Sequence, residues 1–152
     1  MKLDNDIAFK SASELAHHIR QKDFSCRDLL ELYIRRIEKL NPILNCVVTT
    51  NFDHARAQAD QADAEVSVGK TLGPLHGLPI TVKDALETAG IQSTGGAREL
   101  MGNIPERDAP VVKAVKDAGA IVMAKTNLPR WSGDLQTFND IFGTTNLSLI
   151  HI

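Results

Sequence analysis

The stretch that decides the fold of this chain is Gly73-Pro-Leu-His-Gly-Leu-Pro-Ile-Thr-Val-Lys-Asp84. Its first seven residues contain two prolines and two glycines, which exclude a regular helix. The β-branched residues Ile80-Thr-Val82 then predict a strand that ends at Lys83-Asp84. This stretch therefore marks the change from a helical lead-in to an α/β segment.

The residues before this stretch predict three helices and one short strand. Ser11 and Glu14 have the spacing of a capping box, which favours a helix start. Pro42 is expected to end the second helix, because proline is not tolerated in a helix interior. The predicted elements are a helix over Ser11–Gln21, a helix from Ser25 to Asn41-Pro42, a strand over Cys46–Thr50 and a helix over Phe52–Val66.

The residues after this stretch predict a second strand joined by a helix. Asp108 has the position of an N-cap, and Pro110 suits the first helical turn. Val111, Val112, Val115 and Ala118 are expected to form the apolar face of this helix. The apolar run Ala120-Ile-Val-Met-Ala124 predicts a strand buried on both faces. Strand, helix and strand in this order indicate a βαβ unit and the α/β fold class.

Composition excludes several classes of function. The 152 residues carry 17 basic and 19 acidic side chains, and this balance argues against direct binding of nucleic acid. No apolar run approaches the ~20 residues that span a bilayer. The polar N-terminus and two cysteines indicate a reduced, cytoplasmic protein. Walker, His-Glu-x-x-His and Cys-x-x-Cys motifs are absent from the sequence, so no metal or nucleotide cofactor is expected.

Lys83 is the candidate catalytic residue that the pattern itself suggests. It follows a predicted apolar strand, and ligand sites gather at strand ends in α/β sheets. A lysine there is expected to lose hydration, which favours the neutral amine that a base requires. The alternative is a structural lysine paired with Asp84.

Several segments together resemble the amidase signature family. They are Gly73–Asp84, Ser93-Thr-Gly-Gly96, Asp108-Ala-Pro-Val-Val112, Gly119-Ala-Ile-Val, Lys125-Thr-Asn127 and Phe142-Gly-Thr-Thr-Asn146. The resemblance implies an α/β fold in which N-terminal helices precede part of a mixed sheet flanked by helices. It also implies amide hydrolysis through a Ser–cis-Ser–Lys triad, with Lys83 as the lysine and a small-molecule amide as substrate. Trp131 and Ser132 would lie beside the acyl pocket; the alternative for Trp131 is a packing role on a surface loop.

The sequence departs from the family at the catalytic serines. The family's Gly-Gly-Ser-Ser-Gly-Gly loop is absent, and Leu147–Ile152 does not match the family pattern. We therefore expect residues 1–146 to be the N-terminal part of an amidase domain, an incomplete amidase-signature fold. Within it we expect a helical lead-in over 1–68 and the start of the α/β core over 69–146. A truncated product with a foreign tail, inactive on amides, is the resulting expectation.

Two other interpretations remain open at this stage. The glutamyl-tRNA amidotransferase has a component, its A subunit, that shares the signature and works with partner subunits and charged tRNA. Alternatively, the chain is a non-catalytic interaction or relic protein that binds a partner through an exposed sheet edge. Oligomeric state and acyl specificity are not predicted by the sequence.

Overall fold

The computed structural model describes residues 3–70 and 73–146. Within these ranges the helices are Ala12–Gln21 (α1), Cys26–Leu44 (α2), Phe52–Ser67 (α3) and Pro110–Asp117 (α4). The strands are Val47–Thr50 (β1), Pro79–Lys83 (β2), Ile121–Thr126 (β3), Phe138–Asn139 (β4) and Gly143–Thr144 (β5). None of these helices has both the length and the apolar character needed to cross a membrane. The predicted tail Leu147–Ile152 lies outside the described residues.

The first helix begins at the capping box that the sequence predicts. Ser11 Oγ accepts a hydrogen bond from the Glu14 N–H at 3.3 Å, and the Ser11 N–H donates to Glu14 Oε2 at 2.8 Å. These reciprocal bonds satisfy backbone donors that the first helical turn leaves without partners. The helix ends at Gln21, as predicted, because Lys22 adopts a left-handed conformation.

The prediction that Pro42 ends the second helix is wrong, because α2 continues to Leu44. Pro42 lies in the last turn, and only Ile43 and Leu44 follow it in the helix. Asn41 Oδ1 then accepts hydrogen bonds from the N–H groups of Cys46 and Val47 at 2.9 and 2.8 Å. This side chain, rather than the proline, directs the chain out of the helix and into β1.

Strand β3 is the middle strand of a mixed sheet with the order β1-β3-β2. It pairs antiparallel with β1. The Leu78 carbonyl accepts from the Ile121 N–H at 2.9 Å, and the Asp84 N–H donates to the Thr126 carbonyl at 3.0 Å, so β2 runs parallel to β3. Residues 121–124 of β3 are buried, as predicted, and the burial continues at Lys125, which was not predicted. With α4 between the two parallel strands, the predicted βαβ unit and α/β class are confirmed.

Two details of the fourth helix differ from the prediction. The helix begins at Pro110, so Ala109 rather than Asp108 precedes its first residue. Asp108 Oδ1 accepts a hydrogen bond from the Ala89 N–H at 2.8 Å. Val112 is buried, but Val111 is 52% exposed. Adjacent helical residues point about 100° apart, so this short helix cannot bury both valines against one surface.

Two compact units can be distinguished within the chain. The first comprises Met1–Arg36, Asn51–Ile80 and Ala114–Met123, and the second comprises Ile37–Thr50, Thr81–Lys113 and Ala124–Ile152. Each unit thus takes segments from both sides of residue 68. The division into a lead-in over 1–68 and a core over 69–146 stays a prediction.

The first unit is stabilised by a carboxylate from one helix at the N-terminus of another. Asp63 of α3 accepts hydrogen bonds from the N–H groups of Cys26 and Arg27 of α2, at 2.7 and 3.1 Å. A negative charge at this helix end is also favoured by the helix dipole. Cys26 is fully buried, and this burial raises the pKa of its thiol well above the ordinary value. Cys26 and Cys46 are both free thiols.

Gly119 offers a test of backbone packing in the first unit. Its φ is +96°, and a Cβ there would lie 2.7 Å from the Cα of His76. We expect Gly119→Ala to lower the free energy of unfolding by roughly 2–4 kcal/mol, from left-handed strain plus overpacking. Urea denaturation followed by circular dichroism measures this loss.

Gly102→Ala is the matched control, because Gly102 has a φ of +81° but nothing within 4 Å of the added Cβ. We expect Gly102→Ala to lower the free energy of unfolding only by the cost of the left-handed backbone, roughly 1–2 kcal/mol. Equal losses for the two variants would contradict the claim that the close approach to His76 matters.

Candidate functional site

Lys83 is the last residue of β2, and its side chain is exposed. Its neighbours Val82 and Asp84 are buried, as the alternation of side chains along a strand requires. The expected loss of hydration at Lys83 is therefore not found among the described residues. The position at the end of the strand is as predicted. A role for this amine in catalysis stays a prediction.

Asp84 is fully buried directly after Lys83. Its Oδ2 accepts hydrogen bonds from the N–H of Thr94 at 3.0 Å and from Thr94 Oγ1 at 2.5 Å. Its carbonyl accepts from the Gly95 N–H at 3.3 Å. Its Oδ1 is also buried, and it has no hydrogen-bond partner in the described part of the chain. The contacts of this carboxylate are thus with the Thr94 turn, and the pairing with Lys83 that was the alternative interpretation is not among them.

The turn that holds Asp84 is closed by the glycine pair that follows Thr94. Gly95 has a φ of +60°, which places it in the left-handed region that favours glycine. The Gly96 N–H donates to Thr94 Oγ1 at 3.0 Å. Since Thr94 Oγ1 accepts that bond, its own proton is available for the Asp84 carboxylate. The turn Thr94-Gly95-Gly96 therefore supports Asp84, the residue beside Lys83.

Trp131 contacts this turn, whereas Ser132 is exposed one residue further on. The Trp131 N–H donates to the Gly95 carbonyl at 2.8 Å. Carbon Cζ3 of its ring would lie 3.0 Å from a Cβ at Gly95, so the indole packs on the bare glycine backbone. Trp131 is 58% exposed, and both residues have left-handed backbones, with φ values of 53° and 57°. Such strain occurs at functional sites more often than elsewhere.

Sequence reasoning missed Lys125, which lies in β3 and has no exposed surface. Its Nζ donates hydrogen bonds to the Leu86 carbonyl at 2.6 Å, to Ser93 Oγ at 2.7 Å and to Thr88 Oγ1 at 3.2 Å. The sequence signal for this residue was a lysine directly after a five-residue apolar run. If the strand stays buried at that position, the amine needs hydrogen-bond acceptors inside the protein.

A second polar cluster fixes the segment that follows β4. Asn139 Nδ2 donates to Asn127 Oδ1 at 2.8 Å, and Asn127 Nδ2 donates to Thr145 Oγ1 at 3.1 Å. Thr145 Oγ1 in turn donates to the Asn45 carbonyl at 2.7 Å. These bonds give Thr145 a structural role.

The two lysines of this unit differ in what they can do chemically. Ser93 and Lys125 have the separation of a nucleophile and its base, but both are buried, so a substrate cannot reach them. Lys83 is accessible and lies beside a turn fixed by hydrogen bonds. Within the described ranges, no cluster of His, Cys, Asp or Glu could hold a metal ion. The accessible chemistry of the site is therefore that of an amine.

Comparison with known proteins gives consistent matches. The Amidase family model matches residues 28–149. The chain is 38% identical over 131 residues to the A subunit of the glutamyl-tRNA(Gln) amidotransferase of Hahella chejuensis, and 40% identical over 115 residues to a probable amidase of Arabidopsis thaliana. These alignments cover 86% and 74% of this chain but 27% and 22% of the relatives, so the chain spans about a quarter of their length. The solved peptide amidase of Stenotrophomonas maltophilia superposes with a TM-score of 0.85 at 30% identity, over 93% of this chain and 30% of that one.

The hydroxyl of Thr94 provides a test of the Asp84 turn. Thr94→Val keeps the shape of the side chain but removes a donor to a buried carboxylate, so we expect a loss of roughly 2 kcal/mol in the free energy of unfolding. Thr81→Val, at an exposed position of β2, is the control and should cost little. Urea denaturation compares the two, and similar values would show that the Thr94–Asp84 bond contributes nothing to stability.

Proposed function

The chain belongs to the amidase family, and from this premise we propose that it forms the lysine-bearing part of an enzyme that hydrolyses carboxamide C–N bonds. Its α/β fold is that of solved amidases. The observation that carries the proposal is the placement of Lys83, an accessible amine at the end of β2 beside a turn fixed by hydrogen bonds. A base needs this combination of access and fixed position.

In the proposed reaction Lys83 acts as the base of a Ser–cis-Ser–Lys triad. Its neutral amine accepts a proton through the bridging serine, and the second serine attacks the amide carbonyl. The proton is then passed to the amide nitrogen, the C–N bond breaks and the amine leaves, and water releases the acid from the acyl-enzyme. The 152 residues contain no Gly-Gly-Ser-Ser-Gly-Gly segment, so by themselves they are expected to hydrolyse no amide above background.

We assign Trp131 and Ser132 to the acyl side of the proposed substrate site. The indole of Trp131 is more than half exposed, and it packs on the turn that holds the residue next to Lys83. An exposed aromatic ring in this position offers apolar contact area to an acyl group. Ser132 follows on the same short turn, Arg130–Ser132, and its exposed hydroxyl is available as a polar contact.

A second candidate function is supported by the relatives themselves. The Hahella chejuensis relative, at 38% identity, is part of an amidotransferase rather than a simple amidase. In that case the amide hydrolysed would be that of glutamine, and the ammonia released would pass to a second reaction. The role of Lys83 would be the same, so the two functions differ in substrate and partners.

The role of Lys83 is tested in a chimera in which residues 1–146 replace the matching segment of the Stenotrophomonas maltophilia peptide amidase. We expect this chimera to hydrolyse a peptide amide, measured as ammonia release. Lys83→Arg should lower kcat by about a thousandfold, because a guanidinium stays protonated and cannot act as the base.

Lys39→Arg is the matched control, since Lys39 is an exposed lysine of α2 outside the proposed site. It should leave kcat unchanged, and circular dichroism should show all chimeras folded. Full activity of the Lys83→Arg chimera would refute the proposed function.

Glutamine distinguishes the two candidate functions. For a simple amidase we expect the chimera to release ammonia from a hydrophobic carboxamide at a rate about a hundredfold above that from free glutamine. The control is the same assay with Lys83→Arg, which should remove both activities. Preference for glutamine would overturn the simple-amidase assignment in favour of the amidotransferase function.

A further inference from the structure

Two buried groups of opposite charge lie beneath the turn that follows Lys83. Asp84 and Lys125 both have 0% exposed surface. They are linked through the adjacent residues Ser93 and Thr94: Ser93 Oγ accepts from Lys125 Nζ at 2.7 Å, and Thr94 donates twice to Asp84 Oδ2. A pair of residues next to each other in the chain thus connects the two charges.

The hydrogen bonds around Lys125 fit the ammonium form of its amine. Thr88 Oγ1 donates its proton to the Leu86 carbonyl at 3.1 Å, and Ser93 Oγ donates its proton to the Ile91 carbonyl at 3.2 Å. With these protons directed at the carbonyls, both hydroxyls accept from Nζ, and the Leu86 carbonyl is an acceptor in any case. Three acceptors around one nitrogen use the three donors of an ammonium.

The positive charge of Lys125 has a consequence for the proposed use of Lys83 as a base. A carboxylate one residue away favours the protonated form of an amine and so opposes its use as a base. Asp84 Oδ2 accepts two hydrogen bonds, both from Thr94. The buried ammonium offsets that negative charge within the same unit. Lys125 also bonds both ends of residues 86–93, and this segment leads directly into the Thr94 turn.

We propose that Lys125 is a positioning residue for the proposed hydrolysis. It fixes the 84–96 segment and offsets the charge of Asp84, so that Lys83 presents an available amine in one place. The inference rests on the proposed role of Lys83 as base. Lys125 itself touches no substrate, because it has no exposed surface.

The first experiment measures amide hydrogen exchange in the 152-residue chain. Lys125→Met keeps the length of the side chain but removes the charge and all three donors. We expect peptides covering residues 84–96 to exchange about tenfold faster, while peptides from α1 and α3 stay within about twofold of the parent. Ser93→Ala removes one acceptor only and should give a smaller increase in the same peptides. Lys39→Met is the control and should change neither.

The second experiment measures the rate of acylation of individual lysines by acetic anhydride at pH 8, read by mass spectrometry. In Lys125→Met we expect the ratio of Lys83 to Lys39 acylation to fall about threefold, because the uncompensated carboxylate holds the proton on Lys83. In Ser93→Ala the charge remains, so the ratio should stay within about twofold. If the role of Lys125 were purely structural, both variants would loosen the turn, but their ratios of Lys83 to Lys39 acylation would not differ.

Unchanged exchange at residues 84–96 in both variants would overturn the proposal, and so would an unchanged acylation ratio in Lys125→Met. If Lys125→Met unfolds the whole chain, Ser93→Ala decides: faster exchange confined to residues 84–96 supports the proposal, and exchange unchanged there overturns it. Neither experiment measures amide hydrolysis. A negative result in these two experiments therefore does not contradict the proposed function. An inactive chimera likewise does not contradict the exchange and acylation results.

Discussion

The three hydrogen bonds that Lys125 Nζ donates are the interaction on which the second unit depends. Burying a charge is costly unless hydrogen bonds replace those to water. The acceptors are Leu86, Thr88 and Ser93, all from the segment that follows β2. Strand β3 can therefore bury its lysine only when that segment has folded against it. The buried end of β3 and the turn after β2 are thus held by the same hydrogen bonds, and this turn lies next to Lys83.

Side chains alternate between the two faces of β2, so adjacent residues of this strand perform different tasks. Val82 and Asp84 point to the buried side, where Asp84 holds the Thr94 turn, and Lys83 points to the exposed side. A reactive amine and its support are thus supplied by consecutive residues without competing for the same space. The short β2 strand is sufficient for this, because its parallel pairing with β3 fixes the backbone at both Leu78 and Asp84.

Local sequence signals predicted most of the fold. The errors lie where contacts between residues far apart in the sequence determine the structure. The Ser11 capping box and the apolar run at 120–124 are complete within a few residues, so α1 and β3 were predicted correctly. The burial of Lys83 and the end of α2 at Pro42 were wrong, because both depend on what packs against the segment. Lys125 was missed since lysine is ordinarily exposed, and its acceptors lie 32 to 39 positions away in the chain.

The placement of Trp131 has a spectroscopic consequence. It is the single tryptophan of the chain, and its indole packs on Gly95 in the turn that holds Asp84. Its ring is 58% exposed, so its emission is sensitive both to water and to any movement of that glycine backbone. The protein therefore carries an intrinsic fluorophore at the candidate site, and ligand binding or loosening of the turn can be followed without an added label.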